Sequence, residues 1–245
     1  MRRAYAAAAG ITLAGIAGTL AYACRAPGSQ LFGRTLVAPP HADQIALTFD
    51  DGPNPAATGR LLEVLARHKV RATFFLIGRF VLREPALARE IAAAGHVIGN
   101  HSMTHPFLPR LSAAHIRDEL TACNHILEHT LDRPVELFRP PFGARRPAVL
   151  RAAQALGLKT VQWNLIVGDW NPIASDRLYR RLEAGLARNQ AHGRGTNLVL
   201  HDGGDQELGA DRMSTVAAID LLLSRLKRRE ETIRFLTPLD WDEKS

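Results

Sequence analysis

Two adjacent carboxylates, Asp50 and Asp51, close an apolar run that starts near Gln44 and leads straight into Gly52-Pro53. Acids in that position are costly unless they bind something. A second apolar run leads into Asn100-His101-Ser102-Met103-Thr104-His105, which sets two imidazoles four residues apart. Two histidines with one carboxylate, Asp50 or Asp51, make a three-ligand set that leaves a position for water, the pattern of a catalytic rather than a structural zinc site. With 10 histidines in 245 residues the spacing alone is weak, and His125 and His129 repeat it. That second pair falls inside a helical stripe, away from any strand end, and reads as a solvated helix face. Three further clusters follow apolar runs: Arg139-Pro140-Pro141-Phe142-Gly143, Gly168-Asp169-Trp170 and His201-Asp202-Gly203.

The elements that must position these groups alternate in type. Short β-rich runs occur at 44–49, 73–77, 96–99, 136–138, 160–163, 197–200 and 233–236. Helical periodicity fills the gaps: Ile116, Leu120, Cys123, Leu127 and Leu131 step by three or four, with Ser112 as N-cap. Similar stripes follow Ser175 and run through Val216, Ile219, Leu222, Leu223 and Leu226, and further helices are expected at 56–68, 80–93 and 146–156. Strand–helix alternation predicts an α/β fold of parallel strands joined by right-handed crossovers. Active sites of such folds form at the carboxyl ends of the strands, where five of the seven expected strand ends carry the polar clusters. Periodicity does not separate a closed barrel from an open sheet.

In order along the chain, Thr48–Gly52 (T-F-D-D-G), His101–His105 (H-S-x-x-H), Arg139–Gly143 (R-P-P-F-G), Asp169-Trp170 and Leu200–Gly203 (L-H-D-G) resemble the five motifs of polysaccharide deacetylases of the NodB-homology type, carbohydrate esterase family 4. The resemblance spans about Ile45 to Leu236. It implies a distorted (β/α) barrel with about seven parallel strands. It also implies roles. Asp51, His101 and His105 hold a divalent metal ion, zinc first, and Asp50 is the general base, paired with Arg139. His201 is the general acid. Trp170 and Leu200 wall the acetyl pocket, and the backbone at Phe142 helps bind the oxyanion. The first acid of the fourth motif falls on Ile166, which leaves Asp169 as the partner of His201.

The implied activity is removal of N-acetyl groups from a GlcNAc-containing polysaccharide, chitin-like or peptidoglycan. The alternatives are an O-acetyl esterase on xylan-type sugars, an amidohydrolase on a small amide or lipid-linked sugar, and a non-catalytic carbohydrate-binding relic of the fold. Composition fits a folded domain: 46% hydrophobic and 22% charged residues exclude global disorder. The net charge of +7 favours encounter with anionic surfaces, and no nucleic-acid partner is expected. Two cysteines, Cys24 and Cys123, exclude a disulfide framework. Arg2 and Arg3 precede an uncharged stretch from Ala4 to Cys24 that ends in Ala21-Tyr22-Ala23. Residues 1–24 therefore read as a signal peptide or membrane anchor, 25–40 as a linker and 41–245 as the catalytic domain. The expected location is outside the cytoplasm: periplasmic, in the cell envelope or secreted, cleaved or anchored through residues 4–24.

Overall fold

The computed structural model describes residues 15, 18–228 and 232–241. Two-thirds of the expected signal or anchor segment 1–24, namely 1–14 with 16 and 17, lies outside them. Among the described residues no helix is long and apolar enough to cross a membrane.

The chain alternates strands and helices: β1 (Gln44–Gly52), α1 (Thr58–His68), β2 (Thr73–Leu76), α2 (Gly78–Arg83), α3 (Pro85–Ala93), β3 (Val97–Asn100), α4 (Ala113–Leu131), β4 (Leu137–Phe138), α5 (Pro147–Ala155), β5 (Lys159–Thr160), β6 (Leu165–Ile166), α6 (Ser175–Ala191), β7 (Thr196–His201), α7 (Met213–Arg228) and β8 (Arg234–Phe235). Seven strands follow the order β5-β4-β3-β2-β1-β7-β6, and β8 adds to β1. Every pairing is parallel. The path has two ends, β5 and β6, so the barrel is a half-barrel. The strand β6 was not expected, because its two residues carry no period; the run at 233–236 forms β8 beside the start of β1.

All nine residues of β1 are buried, as a central parallel strand covered on both faces requires. Phe49, Leu47 and Leu61 are among the core residues that seal helices against it. Ser112 caps α4 as expected, its hydroxyl accepting the His115 N–H at 3.2 Å. The single helix expected over 80–93 is two, since Pro85 lacks an amide hydrogen and starts α3 afresh.

Residues 25–40, expected as a linker, are instead packed on the domain as an arm. The Arg145 N–H donates to Cys24 O at 2.9 Å, and its buried guanidinium donates to the carbonyls of Ala26 (2.8 Å), Pro27 (3.3 Å) and Ser29 (2.6 Å). Leu36 bridges Val161 in parallel, extending the sheet edge beyond β5. Further on, the Pro39 and His41 carbonyls lie so close to Gly195 that a Cβ there would overlap them. The sequence hid this because Pro and Gly mark irregular chain without saying whether it is covered.

Candidate active site

The carboxyl ends of β1, β3, β4 and β7 meet at one rim. It surrounds a pocket of 350 Å³ that Asp50, Asp51, His101, His105 and His201 all line. Adjacent strand ends explain the meeting, since Asp50 pairs in register with His201 and Asn100 with Phe138.

Arg139 is the most deeply committed charge. It is fully buried, and its Nη1 donates to Asp50 Oδ1 and to Thr48 Oγ1, both at 2.7 Å, while Nη2 donates to Gln162 O at 3.0 Å. The guanidinium carbon also stands 4.2 Å from the centre of the Phe75 ring. Burial pushes the Arg139 pKa down, and Asp50 pushes it back up. A buried pair of this kind does not by itself add much stability, but removing one partner leaves the other charged in the interior at a cost of about 3–5 kcal/mol.

Asp51, His101 and His105 form a second group whose candidate ligand atoms lie within 4.8 Å of one another. Asp51 Oδ1 stands 3.4 Å from His101 Nε2 and 3.3 Å from His105 Nε2, and it is buried with no hydrogen-bond partner. Burial alone would raise the Asp51 carboxyl, yet the neighbouring His101, His201 and His105 rings hold it well below the usual carboxylate range. Burial, with His101 beside it, lowers His105 to about 4, so this ring is neutral at ordinary pH, as a ligand must be. The His101 Nδ1 lies 2.7 Å from Arg139 O, which aims Nε2 at Asp51. An orphaned buried carboxylate oxygen facing two imidazole nitrogens fits a divalent cation of the kind that takes N and O donors.

Across the pocket His201 is tied twice to the buried Asp169. Its backbone N–H donates to Oδ2 at 2.8 Å and its Nδ1 lies 2.9 Å from Oδ1. Burial would lower the imidazole, but Asp169, then Asp51 and Asp50, raise it to about 9. Trp170 stands edge-on to the His201 ring, centroids 5.3 Å apart.

Local backbone strain concentrates here. Among the described residues six non-glycines have positive φ, and four of them are on this rim: Asp51 (71°), Ser102 (65°), His105 (61°) and Phe142 (58°). Gly203 allows the β7 loop to close on the β1 loop, for a Cβ there would overlap the Asp51 carbonyl. Asp202 locks the same contact from beneath. It accepts from the Thr58 hydroxyl and its carboxyl is pushed up to about 7 by burial, with Thr58 opposing.

Ten residues were singled out in the sequence, and the structure brings nine to the pocket or its first neighbours. Leu200 is the correction. Residues alternate along β7, so Val199 and His201 face the pocket while Leu200 points to the opposite side and is wholly buried in the core. Phe142 and Trp170 stand half-exposed at the mouth. Ile166, where an acid was awaited, lines the mouth too, and Asp169 makes the His201 contacts without it. His125 and His129 stack with centroids 6.4 Å apart on α4, away from the pocket lining. Three contributors went unnoticed. Thr215 donates from α7 to Asp169 Oδ2 at 3.1 Å; it sits inside an apolar helical stripe and gives no signal. Asp205 lies 3.6 Å from His105 Nδ1, and its place just after Leu200–Gly203 was a usable cue. Trp163 lines the pocket wall from beyond β5.

An arginine-held carboxylate, a carboxylate-held imidazole and a cation-sized nest of ligand atoms line one pocket at the strand ends, an arrangement suited to hydrolysis. The polysaccharide deacetylase family matches residues 38–161, just over half of the chain, and the chain belongs to it. Enzymes of this class are hydrolases acting on carbon–nitrogen bonds other than peptide bonds. The chain is 35% identical to a chitooligosaccharide deacetylase of Bradyrhizobium sp. (strain ANU 289), covering 76% of this chain and 85% of that one. It is also 35% identical to a peptidoglycan-N-acetylglucosamine deacetylase of Bacillus cereus, covering 79% and 85%. Among solved structures, a peptidoglycan N-acetylglucosamine deacetylase in complex with a hydroxamic-acid-type benzamide superposes with a TM-score of 0.76 at 28% identity, covering 86% of this chain and 94% of that one.

Proposed function

We propose that the protein removes N-acetyl groups from GlcNAc residues of a chitin-like or peptidoglycan glycan, outside the cytoplasm, and that it needs a divalent ion to do so. The observation that carries this reading is the opposition, across one pocket, of a carboxylate held by a buried arginine and an imidazole held by a buried carboxylate. Asp50 is held by Arg139, and His201 is raised to about 9 by Asp169. In this reading the arginine-held carboxylate is the base and the protonated imidazole the acid.

An ion held by Asp51, His101 and His105, zinc first, would supply Lewis-acid polarisation of the acetyl carbonyl. The chain's own residues do the rest. Asp50 Oδ1 is engaged by Arg139, so Oδ2 accepts the proton of the attacking water. The backbone N–H at Phe142, on a turn strained toward the pocket, donates to the developing oxyanion. His201 keeps Nδ1 on Asp169 and delivers its proton from Nε2 to the amine as the C–N bond breaks. Amide and water thereby become free amine and acetate. Trp170 and Phe142 close the mouth around the acetyl group and limit water.

Acetate release from chitooligosaccharides, peptidoglycan and acetylxylan, by protein loaded with zinc or stripped by chelator, tests the reading. Zinc-dependent release from the first two is expected. Release from acetylxylan alone would make it an O-acetyl esterase, and glycan binding with no release at all would make it a relic. Export follows from the charge pattern of residues 1–24, and fusing them to a reporter active only in the periplasm tests it; a reporter kept in the cytoplasm would overturn it.

A further inference from the structure

The turn that carries Phe142 is held from three sides, and the arm supplies or completes each hold. Phe142 and Gly143 take positive φ one after the other, 58° and 63°. A non-glycine in that region keeps it only when its surroundings over-determine it. The Gly143 carbonyl accepts from Arg145 Nη1 and from Gln162 Nε2, both at 3.2 Å. Arg145 is buried, and its Nη2 donates to Ala26, Pro27 and Ser29, so three of the four carbonyls that solvate this charge belong to the arm. Gln162 is tied to the arm by its backbone N–H, which donates to Leu36 O at 2.7 Å, while the Leu36 N–H donates to Thr160 O at 2.9 Å. On the outer side Arg25 stands over the Phe107 ring at 5.5 Å, and Phe107 lies 6.2 Å from the Phe142 ring. Residues 25–37 precede the stretch that matches the family, so the shared motifs do not account for these holds.

Resting on the function proposed above, in which the Phe142 N–H faces the oxyanion, we infer that the arm is a positioning element for that donor and that Arg145 is the positioning residue that transmits its hold. Oxyanion stabilisation requires a donor fixed in place before the charge develops. An arm lifted from the sheet edge takes three acceptors away from a buried guanidinium. A buried charge without acceptors is costly, so the guanidinium turns to find others and Gly143 O loses a donor. Gln162 loses its partner at Leu36 in the same movement. The Gln162 carbonyl keeps the donations from Arg139 Nη2 at 3.0 Å and Asn197 Nδ2 at 2.7 Å, so the base and its arginine stay seated. The candidate ion ligands hang from β1 and β3 and the acid from β7, strands inside the sheet rather than at the edge the arm extends. The loss therefore falls on stabilisation of the transition state.

Two single variants and their double test this in the zinc-loaded full chain. Arg145→Gln breaks the link on the domain side. Gly33→Val breaks it on the arm side, because φ there is 140° and a Cβ would press on Leu150, so the arm is unseated while no residue lining the pocket changes. Trypsin cleavage after Arg34, read by mass, reports release of the arm. KM and kcat are followed on the N-acetylglucosamine tetramer, with zinc affinity and the alkaline pH limb measured in parallel. Each variant is expected to open the arm and to lose kcat and kcat/KM alike by ~10–100-fold, less than the ~10²–10³ of deleting an oxyanion donor outright. KM, zinc affinity and the alkaline limb should stay parental. The double variant should lose no more than the worse single, since both cut one link. Parental kcat in Gly33→Val with its arm open to trypsin would overturn the inference. So would losses that add in the double variant, or that arrive together with lost zinc. If Arg145→Gln does not fold, Gly33→Val decides alone. A parent that releases no acetate from the tetramer or from peptidoglycan overturns the functional reading and this inference with it, whereas an active parent whose open-armed variants keep its kcat overturns this inference only.

Discussion

Replacing Asp169 with Asn tests the acid side of the site most directly. In the parent, His201 is raised from an ordinary 6.5 to about 9, with Asp169 the largest raising influence. A general acid acts while protonated, so the alkaline limb of kcat/KM should fall near that value. Asn keeps the size and removes the charge. Its oxygen can still accept from His201 Nδ1, but its NH2 then faces the His201 backbone N–H, where Asp169 Oδ2 now accepts at 2.8 Å. Losing an adjacent opposite charge moves a pKa by ~1–3 units, and burial pulls in the same direction, so the alkaline limb should move down by at least one unit. The acid limb, which does not report His201, should move less. Stability carries the same sign. A group raised on folding stabilises fully below its unfolded value of 6.5, and that contribution fades as pH rises through about 9. The window corresponds to roughly 3 kcal/mol at 1.36 kcal/mol per unit. Melting temperature of the parent should therefore drop between pH 6.5 and 9 by more than that of Asp169→Asn. Stopped assays from pH 5 to 10 and thermal melts over the same range supply both readings. An alkaline limb that stays put in Asp169→Asn, with activity otherwise intact, would refute the pairing as the source of the acid's tuning.

The remaining expectations concern the ligand group and its supports. His101→Ala should lose both bound zinc, measured by elemental analysis, and activity, since two ligands hold a divalent ion poorly, whereas His125→Ala with His129→Ala should change neither. Asp50→Asn should retain zinc within a few-fold while kcat falls by ~10²–10⁴, and Asp51→Asn should lose zinc as well; the opposite pattern would exchange the two roles. Gly203→Ala must displace the Asp51 carbonyl, so it should lower the melting temperature and weaken zinc affinity together, and a variant with parental affinity would show that the contact is soft.

The legible part of this molecule was the part with strong local chemistry. Asp50 and Asp51 at an apolar strand end, and His101–His105 after another, announced themselves because such groups are costly there without a purpose. The alternation of periods gave parallel strands, and Ser112 gave a helix start at the right residue. What escaped depended on contacts distant in sequence. Thr215 reaches Asp169 across 46 positions from within an apolar stripe, so its type and neighbours concealed it. Leu200 was misplaced by one step of strand alternation, a step that reverses which face a residue takes. The arm was misread because Arg145, the residue that pins it, stands more than 110 positions away.

The place of β1 in the sheet governs the order in which this protein comes into being. One neighbour, β2, follows within about 25 residues, but the other, β7, is some 150 positions away: Thr48 donates its hydroxyl to Leu198 O across that distance. A chain growing from its N-terminus that has reached residue 161 already carries Asp51, His101, His105 and Arg139, while the edge of β1 that awaits β7 is bare. Such an edge is a template for stray pairing until its partner arrives. Long-range parallel pairing of this kind is slow, because the intervening loop must be closed before any contact rewards it. The cation nest can thus assemble from the first two-thirds of the polypeptide, and the proton donor joins last. Folding intermediates of this enzyme should bind metal before they can turn over substrate.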